Sequence, residues 1–125
     1  MTKPRSLVLP VLLAIVVGAA GCGKKAAPDA TQPLQQSFQT AAPEVQQVIA
    51  QVNTQLKAGQ VAEATRTLAP VVSGRPLSEA QKQAVGVALQ QINKSIAANP
   101  KLHTKEMYEL RARMFNAVHN SKQRF

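Results

Sequence analysis

Ser78-Glu79-Ala80-Gln81-Lys82-Gln83-Ala84-Val85-Gly86-Val87-Ala88-Leu89-Gln90-Gln91-Ile92-Asn93-Lys94-Ser95-Ile96 is the stretch whose reading decides the fold. Its apolar residues Ala84, Val85, Ala88, Leu89, Ile92 and Ile96 recur at the helical period and form one stripe. Ser78 and Gln81 make a capping box, in which hydroxyl and amide side chains satisfy amide groups left without partners at a helix start. Asn99-Pro100 stops the helix, because proline cannot continue it and disfavours helical backbone in the residue before it.

The same period extends outward in both directions. Upstream, Val45, Val48, Ile49, Val52 and Leu56 form a stripe that begins at Pro43, a residue suited to a first turn, and ends at Gly59. A second stripe follows in Val61, Ala64, Leu68, Val71 and Val72, with Pro70 inside it expected to kink or loosen the last turn. Ser73-Gly74-Arg75-Pro76 is a break. Downstream, a helix starts near Thr104 with Glu106 in its first turn, where a carboxylate suits the helix dipole. Met107, Leu110, Met114 and Val118 are expected to face inward, supported by Tyr108 and Phe115. No run alternates with period two between hairpin turns, so no sheet is expected. The predicted fold is all-α: a small antiparallel helical hairpin or bundle of about four helices over residues 43–120, with 121–125 fraying. With no Trp and one Tyr, the core of so small a domain is thin and aliphatic.

The N-terminus reads as an address. Lys3 and Arg5 precede the apolar run from Leu7 to Val17, and small residues follow, which is the three-part pattern of a secretory signal peptide. From Leu7 to Ala20 the stretch is 14 residues, too short to span roughly 30 Å of hydrocarbon as a helix. Ala19-Ala20-Gly21-Cys22 resembles the lipobox of bacterial lipoproteins. The resemblance implies cleavage between Gly21 and Cys22, a diacylglyceryl group on Cys22, acylation of the new N-terminus, and attachment to the cell envelope. Ala19 stands where that family usually has Leu, and an ordinary signal-peptidase cut after Ala20 is the competing reading. Gly23 is not the Asp that commonly retains lipoproteins at the inner membrane, so the family implies the outer membrane where the cell has one. Lipidation also accounts for a single cysteine in an exported chain. Two or more acyl chains hold firmly where one does not.

Between this anchor and Pro43, residues 22–42 are rich in Pro, Ala and Gln and lack a sustained period. They read as a mobile linker, with a short helix around Leu34–Gln39 left open. Lys24 and Lys25 lie beside the lipid, where each adds about 1 kcal/mol on an anionic surface. The formal charge of the full chain is +9, and loss of residues 1–21 removes only Lys3 and Arg5 from it. In an exported chain the relevant polyanions are head groups, wall polymers and acidic proteins, so no nucleic-acid partner is expected. Lys24, Lys25, Lys101, Lys105, Arg111 and Arg113 are the candidate basic contact residues. Arg111 and Arg113 lie about 200° apart on a helix and make no tight patch. The simpler reading is a solvated face with pairs such as Glu109–Arg113.

Leu56-Lys57-Ala58-Gly59-Gln60-Val61-Ala62-Glu63-Ala64, with Leu68 and Pro76 behind it, loosely resembles the turn of a tetratricopeptide-type helix pair. That likeness implies protein binding. No second copy follows 34 residues on, and the large aromatic of the first helix is replaced by Val48. A generic helical hairpin is therefore preferred.

Catalytic constellations are missing from the pattern. The only Asp is Asp29, and His103 with Glu106 supplies two ligands where a closed metal site needs more. No Gly-rich phosphate loop occurs. The expectation is a non-enzymatic, cofactor-free envelope lipoprotein whose helical domain binds a protein or supports an assembly. Pilotins, small helical lipoproteins that escort secretion-pore subunits, are similar in size and class. The alternative is a basic surface factor that contacts anionic lipid or cell-wall polymer.

Overall fold

A computed structural model describes residues 28–119. The signal segment, Gly21, Cys22, Lys24, Lys25 and the tail 121–125 lie outside the described residues, so the anchor and the fraying are readings of sequence alone. The described chain is all-α. In order it forms α1 (Thr31–Ser37), α2 (Pro43–Lys57), α3 (Val61–Ser73), α4 (Glu79–Ala98), a 3₁₀ turn (Pro100–Leu102) and α5 (Lys105–His119).

The helix boundaries follow from local chemistry. Ser78 Oγ accepts from the Gln81 amide while Gln81 Oε1 accepts from the Ser78 amide, closing the capping box at the start of α4. Thr104 Oγ1 accepts from the Met107 amide at the start of α5. At the end of α2, the Gly59 amide donates to the Leu56 carbonyl and the Gln60 amide to the Gln55 carbonyl. This paired closure needs Gly59 in left-handed backbone, at φ 77°, which side chains with a Cβ rarely adopt. α3 continues to Ser73 past Pro70, whose ring sits on the exposed side.

The stripes on α2, α3 and α4 close one core. Val45, Ile49, Val52 and Leu56 meet Ala64, Leu68 and Val72, and all six stripe residues of α4 are buried. Val48, Val61 and Val71 are only half-buried against it. α2 packs on α3 and α4 on α5, as short connections between antiparallel helices require. The connection across Gly74 behaves differently. α3 touches α4 little and lies instead along α5, so the helices close as a ring in the order α1, α2, α3, α5, α4 and back to α1.

The expected linker through residue 42 is corrected from residue 30 onward, and the short helix left open around Leu34–Gln39 forms as α1, beginning three residues earlier. Ala30, Leu34 and Phe38 are wholly or almost wholly buried, and α1 fills the gap between α2 and α4. Its seven residues are too few to hold a helix alone in water, so tertiary packing supplies the stability. Three polar links fix its register. Asn53 Nδ2 donates to the Thr31 carbonyl at 2.9 Å, the Ala30 amide donates to Gln91 Oε1 at 3.0 Å, and Gln81 Nε2 donates to the Ser37 carbonyl at 3.2 Å. Composition hid this helix because Gln32, Gln35, Gln36 and Gln39 face solvent and leave only two large apolar residues inside.

A docked α1 has a measurable consequence. Phe38→Ala should lower the unfolding free energy by about 3–5 kcal/mol, as deletion of a fully buried aromatic does in a packed core. Chemical denaturation checks this, and a linker residue would give a change within about 0.5 kcal/mol.

Candidate interaction surface

The two helix directions recorded by these links give the bundle two chemically distinct ends. α1 starts beside the last turn of α2 and beside Gln91 of α4, whereas it ends beside Gln81 at the start of α4. One end therefore gathers the start of α1, the C-terminal turns of α2 and α4, the start of α3 and the start of α5. Arg66 joins the last two: its Nε and Nη2 contact Glu106 at 3.0 and 2.8 Å, and its Nη1 contacts Glu63 at 2.6 Å. The Arg66 hydrogen bonds hold the Glu106 carboxyl below the usual carboxylate range, and Glu106 in turn raises Arg66. Asp29 Oδ1 accepts from both the amide and the hydroxyl of Thr31, at 3.0 and 2.8 Å, which holds its carboxyl low and fastens the entry to α1.

The outer face of α5 carries the second feature. Met107 and Met114 are buried and Leu110 and Val118 half-buried, as their spacing requires. Tyr108 and Phe115, expected to support the core, are instead 39% and 50% exposed. A helical wheel explains the correction: each sits about 100° from Met107 and Met114, and the two lie nearly in line with one another. They are the exposed large hydrophobic residues of the described chain. Arg111 lies 5.2 Å from the Tyr108 ring centroid and donates to Asn93 Oδ1 of α4 at 2.9 Å. His103 Nε2 lies 2.8 Å from the Ile96 carbonyl, so it carries the proton there, and Nδ1 accepts from the Tyr108 hydroxyl at 3.1 Å. Phe115 stacks on His119 with centroids 3.9 Å apart. Asn93, His103, Tyr108 and Arg111 are thus linked across the α4–α5 seam, and Phe115 stands one turn beyond Arg111 on α5, completing a strip.

The structure divides the candidate basic residues. Lys101 and Lys105 stand at the end where α1 begins, Arg111 belongs to the aromatic strip, and Arg113 lies on another face of α5. Glu109 pairs with Lys105 at 3.8 Å rather than with Arg113. His103 and Glu106 are not brought together, since Glu106 is taken by Arg66 and His103 by Ile96 and Tyr108. Among the described residues, no group of three or more His, Cys, Asp or Glu is arranged to hold a metal, and no helix is long and apolar enough to cross a membrane.

A groove of about 380 Å³ runs between α1 and α2, with Phe38 and Ile49 on its floor and Gln35, Gln46 and Lys57 on its walls. Asn53 also lines it, is 8% exposed, and has an Oδ1 atom without a hydrogen-bond partner. Sequence reasoning passed over this residue because it occupies a buried position on a helix whose other inward residues are aliphatic.

Acid should loosen α1 first. The depressed carboxyls of Asp29 and Glu106 stabilise the fold fully above their ordinary titration range, and that contribution is lost as pH falls below about 4 and through their lowered values. Helicity followed by circular dichroism between pH 6 and pH 2 should decline in this window, and Asp29→Asn should flatten the decline. An Asp29→Asn profile parallel to the parent would exclude Asp29 as a contributor.

No protein-family model, curated protein or solved structure matches this chain.

Proposed function

We propose that the chain is a lipid-anchored lipoprotein of the bacterial envelope whose helical domain binds a protein partner through the outer face of α5. Cys22, in Ala19-Ala20-Gly21-Cys22, is the lipidated residue, and Gly21–Cys22 the bond cut during export. The observation that carries partner binding is the strip of Tyr108, Arg111 and Phe115 left exposed on α5.

Tyr, Phe and Arg are the residue types enriched where interfaces bury their central contacts. Here they are partly preorganised. Asn93 and the Tyr108 ring hold Arg111, and His103 holds Tyr108, so less side-chain entropy is lost on docking. The aromatic pair contributes nothing comparable to the core, which Met107 and Met114 already fill from the same helix. The reading assigns the domain no cofactor and no reaction.

Site-specific photocrosslinking in the intact envelope tests this. A photoreactive residue at Phe115 should give one discrete adduct that a probe at exposed Gln83 does not, and Arg111→Glu should reduce its yield at least fivefold. Equal yields at both positions, or indifference to Arg111→Glu, would contradict it.

A further inference from the structure

We infer that the end of the bundle bearing Lys57, Lys94 and Lys101 is a docking surface for the phosphate-bearing head groups of anionic lipid. The inference rests on the lipid-anchor reading and goes beyond it, since an anchor alone dictates no orientation.

The first observation is the length of the attachment. Because α1 is docked, folded structure begins by Asp29 and Ala30, not at Pro43. Five residues separate Cys22 from Pro28, and the six steps of chain between the two span no more than about 22 Å in any conformation. A linker through residue 42 would have allowed roughly three times that reach. The domain is thus confined near the head groups, and the end at which α1 starts is brought within reach of the lipid.

The second observation is the charge of that end. Lys57 lies in the last turn of α2, Lys94 stands one turn before the end of α4, and Lys101 occupies the 3₁₀ turn that follows. All three are exposed, and none has an ion-pair partner among the described residues. The carboxylates of the same end are engaged elsewhere: Glu63 and Glu106 with Arg66, Glu109 with Lys105, and Asp29 with Thr31. Asp29 and Lys57 feel one another's charge without forming an ion pair. The opposite end carries fewer unpaired lysines, presenting Glu44, a Glu79–Lys82 pair and Arg75, whose Nε donates to the Val71 carbonyl. Lys24 and Lys25, which lie outside the described residues, add two cations to the short connection itself. Clustered lysines this close to a bilayer are drawn to anionic head groups within a Debye length.

The full chain, processed in cells and purified in its acylated form, allows a direct test. Mass spectrometry first establishes acylation of Cys22, which also blocks its thiol. A fluorophore is then attached through Ala98→Cys at the lysine end or Gln83→Cys at the far end, in vesicles containing nitroxide-labelled lipid. In vesicles with phosphatidylglycerol, quenching at position 98 should exceed that at position 83 at least threefold. Lys57→Glu/Lys94→Glu/Lys101→Glu should remove most of that difference while circular dichroism shows the domain still folded, since all three side chains are exposed. Pure phosphatidylcholine should give the result of the triple variant. Equal quenching at both positions with Cys22 acylated, or a difference indifferent to charge reversal, would overturn the orientation and leave the anchor standing. An unmodified Cys22 would overturn both.

Discussion

The insertion of α1 between α2 and α4 is the contact on which the rest of this structure depends. Leu34 and Phe38 complete an aliphatic core that otherwise lacks a large aromatic, because Tyr108 and the other described phenylalanine, Phe115, are turned outward. A seven-residue helix does not pre-exist in solution, so it forms only as its apolar side is buried. The polar links from Asn53, Gln91 and Gln81 add direction to this burial. The links to the Ala30 amide and the Ser37 carbonyl satisfy backbone groups that would otherwise be left without a partner at the ends of a short helix.

That insertion closes the ring of helices and, at the same time, sets where the chain leaves the bundle. Its departure point lies among C-terminal turns, where lysines complement the helix dipoles. Lys57, Lys94 and Lys101 therefore stand near the point of attachment, while Arg75 and Arg113 lie elsewhere and the aromatic strip runs along the α4–α5 seam. Arg66 ties α3 to α5 at the same end through two carboxylates, but as an exposed network its contribution is small and salt-sensitive. Hydrophobic burial holds the fold, and charge distributes its surfaces.

Most of the architecture was legible in the residues themselves. The α4 stripe, the Ser78–Gln81 capping box, the helix end at Gly59 and the break at Gly74 are all local signals, and each is realised. Two features were not legible, for different physical reasons. α1 has only two large apolar residues, Leu34 and Phe38, amid glutamines, so its burial is a tertiary fact that no window of periodicity reveals. Tyr108 and Phe115 were assigned inward by their apolar character, although the wheel phase fixed by Met107 and Met114 already placed them aside. The pairing of α3 with α5, rather than with α4, also depends on packing and not on connection length. For the candidate surfaces, sequence identified Lys101, Lys105, Arg111 and Arg113 as cations. Only the fold separates Lys101 and Lys105 from Arg111, or joins Lys101 to Lys57 and Lys94.

The docking of α1 is tested most directly by native-state hydrogen exchange at the Leu34 and Phe38 amides, which donate to the carbonyls of Ala30 and Leu34. The account predicts protection approaching that of the Val85 and Ile92 amides in α4, because all belong to one cooperative core. Exchange of the Leu34 and Phe38 amides at the rate of an unstructured chain, with α4 protected, would contradict it and return residues 31–38 to the linker.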